Sequence, residues 1–319
     1  MTSRRRFIQI GALGALSPAR VLAQPRAARI GVLGPVPLAR SVYSPDLVRR
    51  LRELGYRDLE YRSAEGSVEL YAKQARELVA MNCDLFFAVG TEAPARSLRE
   101  AGAKAPIVFL AVSYDPVAKG VVGNLRSPEG NATGVYIPQG ALVAKRLEIM
   151  REVLPSARRM LVFADVFSRD YIPDVREAAE RTRFELTVVE FDKRPYDYGA
   201  AFAAARKARA ESFTCLASPV FAVERADLAR LLEKHRLAAI GTSASQAEAG
   251  FLLSYTVNVA KFSLRAAELG ARILAGAKPG DIPVEQADEF ELVLNAKSAQ
   301  ALGIRIPSSV LARASRLVT

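Results

Sequence analysis

Apolar positions along this chain follow two alternating rhythms. Short, nearly continuous apolar runs are followed by stretches in which apolar residues recur every third or fourth position. Arg29-Ile30-Gly31-Val32-Leu33 closes on Gly34-Pro35 and reads as a buried parallel strand. From Pro45 to Leu54, Leu47, Val48, Leu51 and Leu54 mark one face of a helix that Gly55 stops. Leu70 to Met81 predicts a second helix, with Leu70, Ala75, Leu78 and Val79 on one face. Strand 85–89 turns through Gly90-Thr91 into helix 92–101, and strand 106–111 runs to Asp115-Pro116, which reads as the cap and first residue of another helix. After strand 133–137 the pattern restarts. Helices 141–153, 171–182, 198–210 and 223–234 precede strands 160–164, 185–190, 213–217 and 238–241 respectively.

Strands separated by helices of this length imply parallel sheets with right-handed crossovers. Two such series predict an α/β protein of two Rossmann-like parallel-sheet lobes. The tail complicates a simple division into halves. Leu252–Tyr255 is extended, 259–275 is helical and Phe290–Leu294 is one more strand. A late helix returning to the first lobe, and a late strand returning to the second, would give a three-crossover hinge. The expected limits are 29–137 plus 259–284 for lobe 1, and 138–258 plus 285–319 for lobe 2.

The N-terminal residues fit neither rhythm. Arg4-Arg5-Arg6-Phe7-Ile8 precedes the short apolar stretch Ile10–Leu16, and Val21-Leu22-Ala23 ends it with small residues. A basic start, a modest apolar segment and an A-x-A-like exit describe a secretory signal peptide over residues 1–23, here of the twin-arginine type, cleaved near Ala23. The apolar stretch is short of the roughly 20 residues that span a bilayer. The expected location is the periplasm. Loss of Arg4, Arg5, Arg6 and Arg20 lowers the formal charge from +11 to +7. The remaining basic residues are interspersed with acids, as in Arg49-Arg50-Leu51-Arg52-Glu53, so no nucleic-acid partner is expected.

Composition narrows the chemistry. The chain has 319 residues, 50% of them hydrophobic, with two Cys and one His. That length fits about two domains at ~100–200 residues each. One histidine nearly excludes a thiolate–imidazole zinc site and would leave His235 alone to build a triad. Glu285, Asp288 and Glu289 lack metal-ligand spacing, so neither metal nor cofactor is expected. Gly31-Val32-Leu33-Gly34 lacks the spacing of a dinucleotide loop. Cys83 and Cys215 fall one in each lobe, which leaves an exported amino-acid racemase or isomerase using two thiols as an alternative.

In open parallel sheets, ligands bind at the carboxyl ends of strands, where helix N-termini present unpaired N–H groups. That rule selects Gly34, Pro35, Gly90, Thr91, Ser113 and Asp115 in lobe 1, with Tyr136 added at the end of its strand. In lobe 2 it selects Asp165, Phe167, Ser218, Phe221, Thr242 and Ser243. A cleft between these hydroxyl-rich loops would hold a small ligand with an anionic end and an apolar body. A helix cap is the competing role for each Ser, Thr or Asp.

The stretch Gly276-Ala277-Lys278-Pro279-Gly280-Asp281-Ile282-Pro283-Val284-Glu285-Gln286, with Phe290–Asn295, Ala301-Leu302-Gly303 and Ile306–Ala314, resembles the ABC-transporter substrate-binding family related to tryptophan/tyrosine-type periplasmic binding proteins. Tyr61–Gly66, Asp115-Pro116-Val117-Ala118, Gly130–Val135, Lys145-Arg146-Leu147-Glu148, Glu248-Ala249-Gly250 and Ser254-Tyr255 extend the match over roughly residues 29–317. The resemblance implies a type I periplasmic-binding fold. It implies a non-enzymatic receptor that closes on a small organic ligand, an amino acid or related carboxylate. An ABC permease with its cytoplasmic ATPase would be the partner and the receptor a monomer; a sensing module for a membrane receptor is the alternative. The resemblance also implies Thr91 as an anion-holding helix start, Asp115 as an ammonium partner or cap, and Tyr255 as a wall or hinge contact. The sequence departs from the family at Ala164-Asp165-Val166-Phe167, where Asn-Pro is usual, at Thr256, and in a shorter connection after Gly55-Tyr56.

Overall fold

The computed structural model describes residues 28–65 and 67–319, so the signal peptide expected over residues 1–23 lies outside the described residues. The first series folds as β1 (Arg29–Gly34), α1 (Ser44–Glu53), β2 (Asp58–Ser63), α2 (Val68–Ala80), β3 (Leu85–Gly90), α3 (Ala93–Glu100), β4 (Ile107–Ala111) and β5 (Ala132–Tyr136). The second comprises α4 (Gln139–Val153), β6 (Arg159–Asp165), α5 (Ile172–Thr182), β7 (Glu185–Phe191), α6 (Tyr198–Lys207), β8 (Ser212–Cys215), α7 (Pro219–Val223), α8 (Arg225–Lys234), β9 (Ala238–Gly241), α9 (Ala244–Ala249) and β10 (Leu253–Val257). The tail adds α10 (Val259–Leu274), β11 (Glu285–Gln286), β12 (Phe290–Asn295), α11 (Ala296–Leu302), α12 (Ser308–Leu311) and β13 (Arg316–Val318).

Two sheets result, ordered β11-β5-β4-β3-β1-β2 and β13-β12-β10-β9-β8-β6-β7. All pairings are parallel except β10 with β12, where Leu253 faces Leu294 and Val257 faces Phe290. The central strands β3 and β4 are covered on both faces, which is why they read as unbroken apolar runs rather than as alternation. The second sheet is sandwiched in the same way. One of its faces carries an aromatic cluster in which Phe163 touches Phe191, Phe202 and Phe213 edge-on at 4.9–5.6 Å between centroids.

The tail makes the return journey. Helix α10 buries Phe262, Ala266, Ala267, Leu269 and Ile273 against the first sheet. Gly270 permits the close approach, since a Cβ there would stand 2.5 Å from the Phe87 ring. The chain passes between sheets after β5, after β10 and after β11. The third passage differs from expectation. Glu285 and Gln286 pair in parallel with Val135 and Tyr136 of the first sheet, so the crossing falls after Gln286 rather than after Val284. The three connections are bonded to one another. The Ala287 amide donates to the Tyr136 carbonyl at 2.9 Å, and the Asn258 amide donates to the Glu289 carbonyl at 2.8 Å.

Two other expectations change. No helix follows Asp115; residues 116–120 form turns. Strands β2, β11 and β13 carry no apolar run, because each is short, peripheral or only half covered. None of the described helices is long and apolar enough to cross a membrane.

A cleft between the two sheets as candidate binding site

The strand ends of the two lobes face each other across a cavity. From the first lobe it is lined by Pro35 and Val36 after β1, by Arg40, Ser41, Val42 and Tyr43 ahead of α1, by Val89, Gly90 and Thr91 at the end of β3, and by Val112 and Ser113 after β4. From the second come Gln139, Ala217, Ser218, Pro219, Ala222, Val223, Thr242 and Ser243. The walls are mainly apolar, with hydroxyls set between valines and prolines. Arg40 is the single charged side chain among the lining residues, and it makes no hydrogen bond or ion pair to the described residues.

Pro35, Gly90, Thr91, Ser113, Ser218, Thr242 and Ser243 are therefore gathered around one space. Several hydroxyls are already engaged with the backbone beneath them. Ser218 caps α7 by accepting from the Val220 amide at 3.1 Å, and Thr91 accepts from the Ala93 amide at 3.4 Å. Gln246 fixes the Thr242-Ser243 turn by accepting from both backbone amides at 2.7 and 3.2 Å.

The other candidates occupy different places. A Cβ on Gly34 would stand 2.3 Å from the Tyr61 hydroxyl, so this glycine makes room for Tyr61. Phe221 is fully buried in the aromatic cluster, 6.1 Å from the Phe163 ring, and is core rather than wall. Asp115 is exposed and lines no part of the cavity; its Oδ1 accepts from the Val117 and Ala118 amides at 2.8 and 2.9 Å, capping the turn. Phe167 is half-buried and lies away from the cavity lining. Tyr136 and Tyr255 belong to the crossings. The Tyr136 hydroxyl reaches Gln286 at 2.6 Å, and the Tyr255 ring stacks on Phe290 at 5.9 Å.

Asp165 is buried behind Ser218 rather than in the cavity wall. Its Oδ1 accepts from the Phe167 amide at 3.0 Å and the Ser168 hydroxyl at 2.8 Å. Its Oδ2 accepts from the Tyr196 hydroxyl at 3.0 Å and from the Ser218 hydroxyl. Burial still raises its carboxyl above the ordinary range, and these four donors oppose that.

Pattern reading passed over Arg146. It is 2% exposed on α4, directly behind Gln139. Its Nε donates to the Tyr255 carbonyl at 2.8 Å and its Nη1 to Gln139 Oε1 at 3.5 Å, while Nη2 has no partner. Gln139 in turn donates to the Val112 carbonyl of the first lobe at 2.6 Å. With no carboxylate partner among the described residues, burial pushes the guanidinium down to about 10. A charged residue on the inner face of a predicted helix, within the family-like Lys145-Arg146-Leu147-Glu148, was the available signal.

The two cysteines are buried, Cys83 in the loop ahead of β3 and Cys215 at the end of β8, and neither lines the cavity. Burial raises the Cys83 thiol to about 11 and that of Cys215 to about 12, so both are held in the unreactive protonated form. His235 is half-buried with its ring stacked on Phe202 at 5.0 Å, and it does not line the cavity. The described residues contain no group of three or more His, Cys, Asp or Glu able to hold a metal ion.

Two hinged α/β lobes with a cleft at their facing strand ends define a type I periplasmic-binding fold. The chain belongs to the ABC transporter substrate binding protein family, whose model matches residues 44–318. It is 23% identical over 273 residues to a tyrosine-binding protein of Clostridioides difficile, covering 81% of this chain and 75% of that one. A conserved domain protein from Vibrio cholerae superimposes with a TM-score of 0.84 at 25% identity, covering 92% of this chain and all of that one. An ABC domain in complex with L-Trp from Streptococcus pneumonia superimposes with a TM-score of 0.80 at 24% identity, over 91% of this chain and all of that one.

Proposed function

We propose that the chain is the periplasmic solute receptor of an ABC importer, exported by a twin-arginine signal and working as a monomer. It captures one small organic molecule, an amino acid or related carboxylate, and presents it to a permease driven by a cytoplasmic ATPase. One observation carries this reading: a cavity whose walls come from both lobes, at the strand ends of each. A ligand held by both lobes at once favours their closed arrangement over any other. Relatives named for tyrosine binding and seen with L-Trp support aromatic solutes as the first to try. Pro35, Thr91, Ser113, Ser218, Thr242 and Ser243 are the proposed contacts.

A thermal-shift screen of amino acids, aromatic acids and small carboxylates tests the reading. One class should raise the melting temperature with one-site saturation, stabilising the chain by about 2.7 kcal/mol at a hundredfold excess over Kd. A screen of this breadth with no stabilising solute would count against a receptor for small organic ligands.

A further inference from the structure

Charge in and behind the cleft is one-sided. Arg40 lines the cavity without an ion-pair partner among the described residues. Arg146, deep behind Gln139, has Nη2 unsatisfied and no carboxylate partner there either. Leaving a buried guanidinium group uncompensated is costly, and the remedy is an anion brought from outside. No lining residue is acidic. Glu65 lines only the adjoining opening, which it shares with Arg40 and Arg194 without an ion pair to either, and Asp115 is spent on its turn. Asp165 stands behind Ser218 with two donors already on each oxygen.

An α-amino acid brings an ammonium group together with its carboxylate. Here the carboxylate would find Arg40 and the field of Arg146, while the ammonium would meet hydroxyls and apolar walls beside two unneutralised cations. We infer that the ligand of this cleft is an organic acid without an ammonium group: a carboxylate carrying an apolar body, held by Arg40 with Arg146 supplying charge from behind. This rests on the receptor reading and narrows it. The apolar walls formed by Val36, Val89, Val112, Pro219 and Val223 suit the body of such an acid. Binding would also restore neutrality around Arg146, which Gln139 links to the first lobe, so occupancy and closure would reinforce each other.

Calorimetry on matched pairs that differ by the amino group tests this directly: indole-3-propionate against L-tryptophan, 3-(4-hydroxyphenyl)propionate against L-tyrosine, and 4-methylpentanoate against L-leucine. In at least one pair the acid should bind about tenfold or more tightly than its amino acid, because only the amino acid must desolvate an uncompensated ammonium. Arg40→Gln, a change at an exposed position, should weaken the acid by about tenfold through loss of a charge-assisted contact. Arg146→Met should weaken it as well, and its melting temperature without ligand reports separately whether the fold has survived. An amino acid that binds as tightly as its acid, or more so, overturns the inference and leaves the receptor reading standing. Stabilisation by amines or uncharged solutes alone, or an acid whose affinity survives Arg40→Gln unchanged, overturns it too.

Discussion

At the scale of single residues, Asp165 and Phe221 show how position alone misleads. Asp165 ends β6 and Phe221 follows β8 at the cleft end of the second sheet, yet both side chains turn inward. Asp165 ties the loop after β6 to Ser218 and Tyr196, a role that requires acceptors rather than exposure. Its raised carboxyl has a definite sign in linkage. The folded chain holds the proton more tightly than the unfolded chain, so this group favours folding at low pH. That contribution is lost as pH rises through the folded-state pKa. We expect Asp165→Asn to fold and to flatten this part of the stability profile, as measured by thermal melts between about pH 4 and 7. Phe221→Ala should cost about 3–5 kcal/mol in chemical denaturation, the range for a buried ring, by opening a cavity beside Phe163. Arg146 was missed for a related reason. Helical spacing records which positions face inward; it does not report that an inward position holds an unpaired charge.

At the scale of elements, the strands covered on both faces were legible because burial on two sides leaves a contiguous apolar run, as in β3 and β4. Strand β2, with its Asp58, Glu60 and Arg62, and the two-residue β11 have no such run, and their pairing is decided by neighbours distant in sequence. Asp115-Pro116 carries a helix-start signal, and the structure uses the same cap chemistry to close turns instead. From within those turns Lys119 reaches across to Asp170 of the second lobe at 2.5 Å. Both groups are partly exposed, so the pair is a modest, salt-sensitive clasp between the lobes. Asp170→Asn should weaken ligand binding about two- to fivefold at low ionic strength and hardly at all in high salt, with calorimetry at two salt concentrations as the check.

For the whole molecule, two alternating series in the sequence were enough to predict two parallel-sheet lobes, and the strand-end rule pointed to the ends of each sheet that border the cavity. The rule located half of the candidate residues around the cavity. It could not say how the lobes are turned toward each other, and that orientation decides which loops meet. Tyr43 and Gln139 line the cavity from the connections after β1 and β5, but several residues beyond the strand ends themselves. The proposed hold on an acid would depend on the same orientation, since Arg40 comes from one lobe and Arg146 from the other.

The mutual bonding of the three connections carries a mechanical consequence. Three independent strings would let the halves twist, slide or splay in any combination. Strings stitched together at Tyr136–Ala287 and Asn258–Glu289 would act instead as one strap and favour a single direction of swing. In the proposed receptor role, a membrane partner gripping the outer rims would then sense one variable, the opening angle. Whatever molecule sits inside would be announced only by how far that angle has closed.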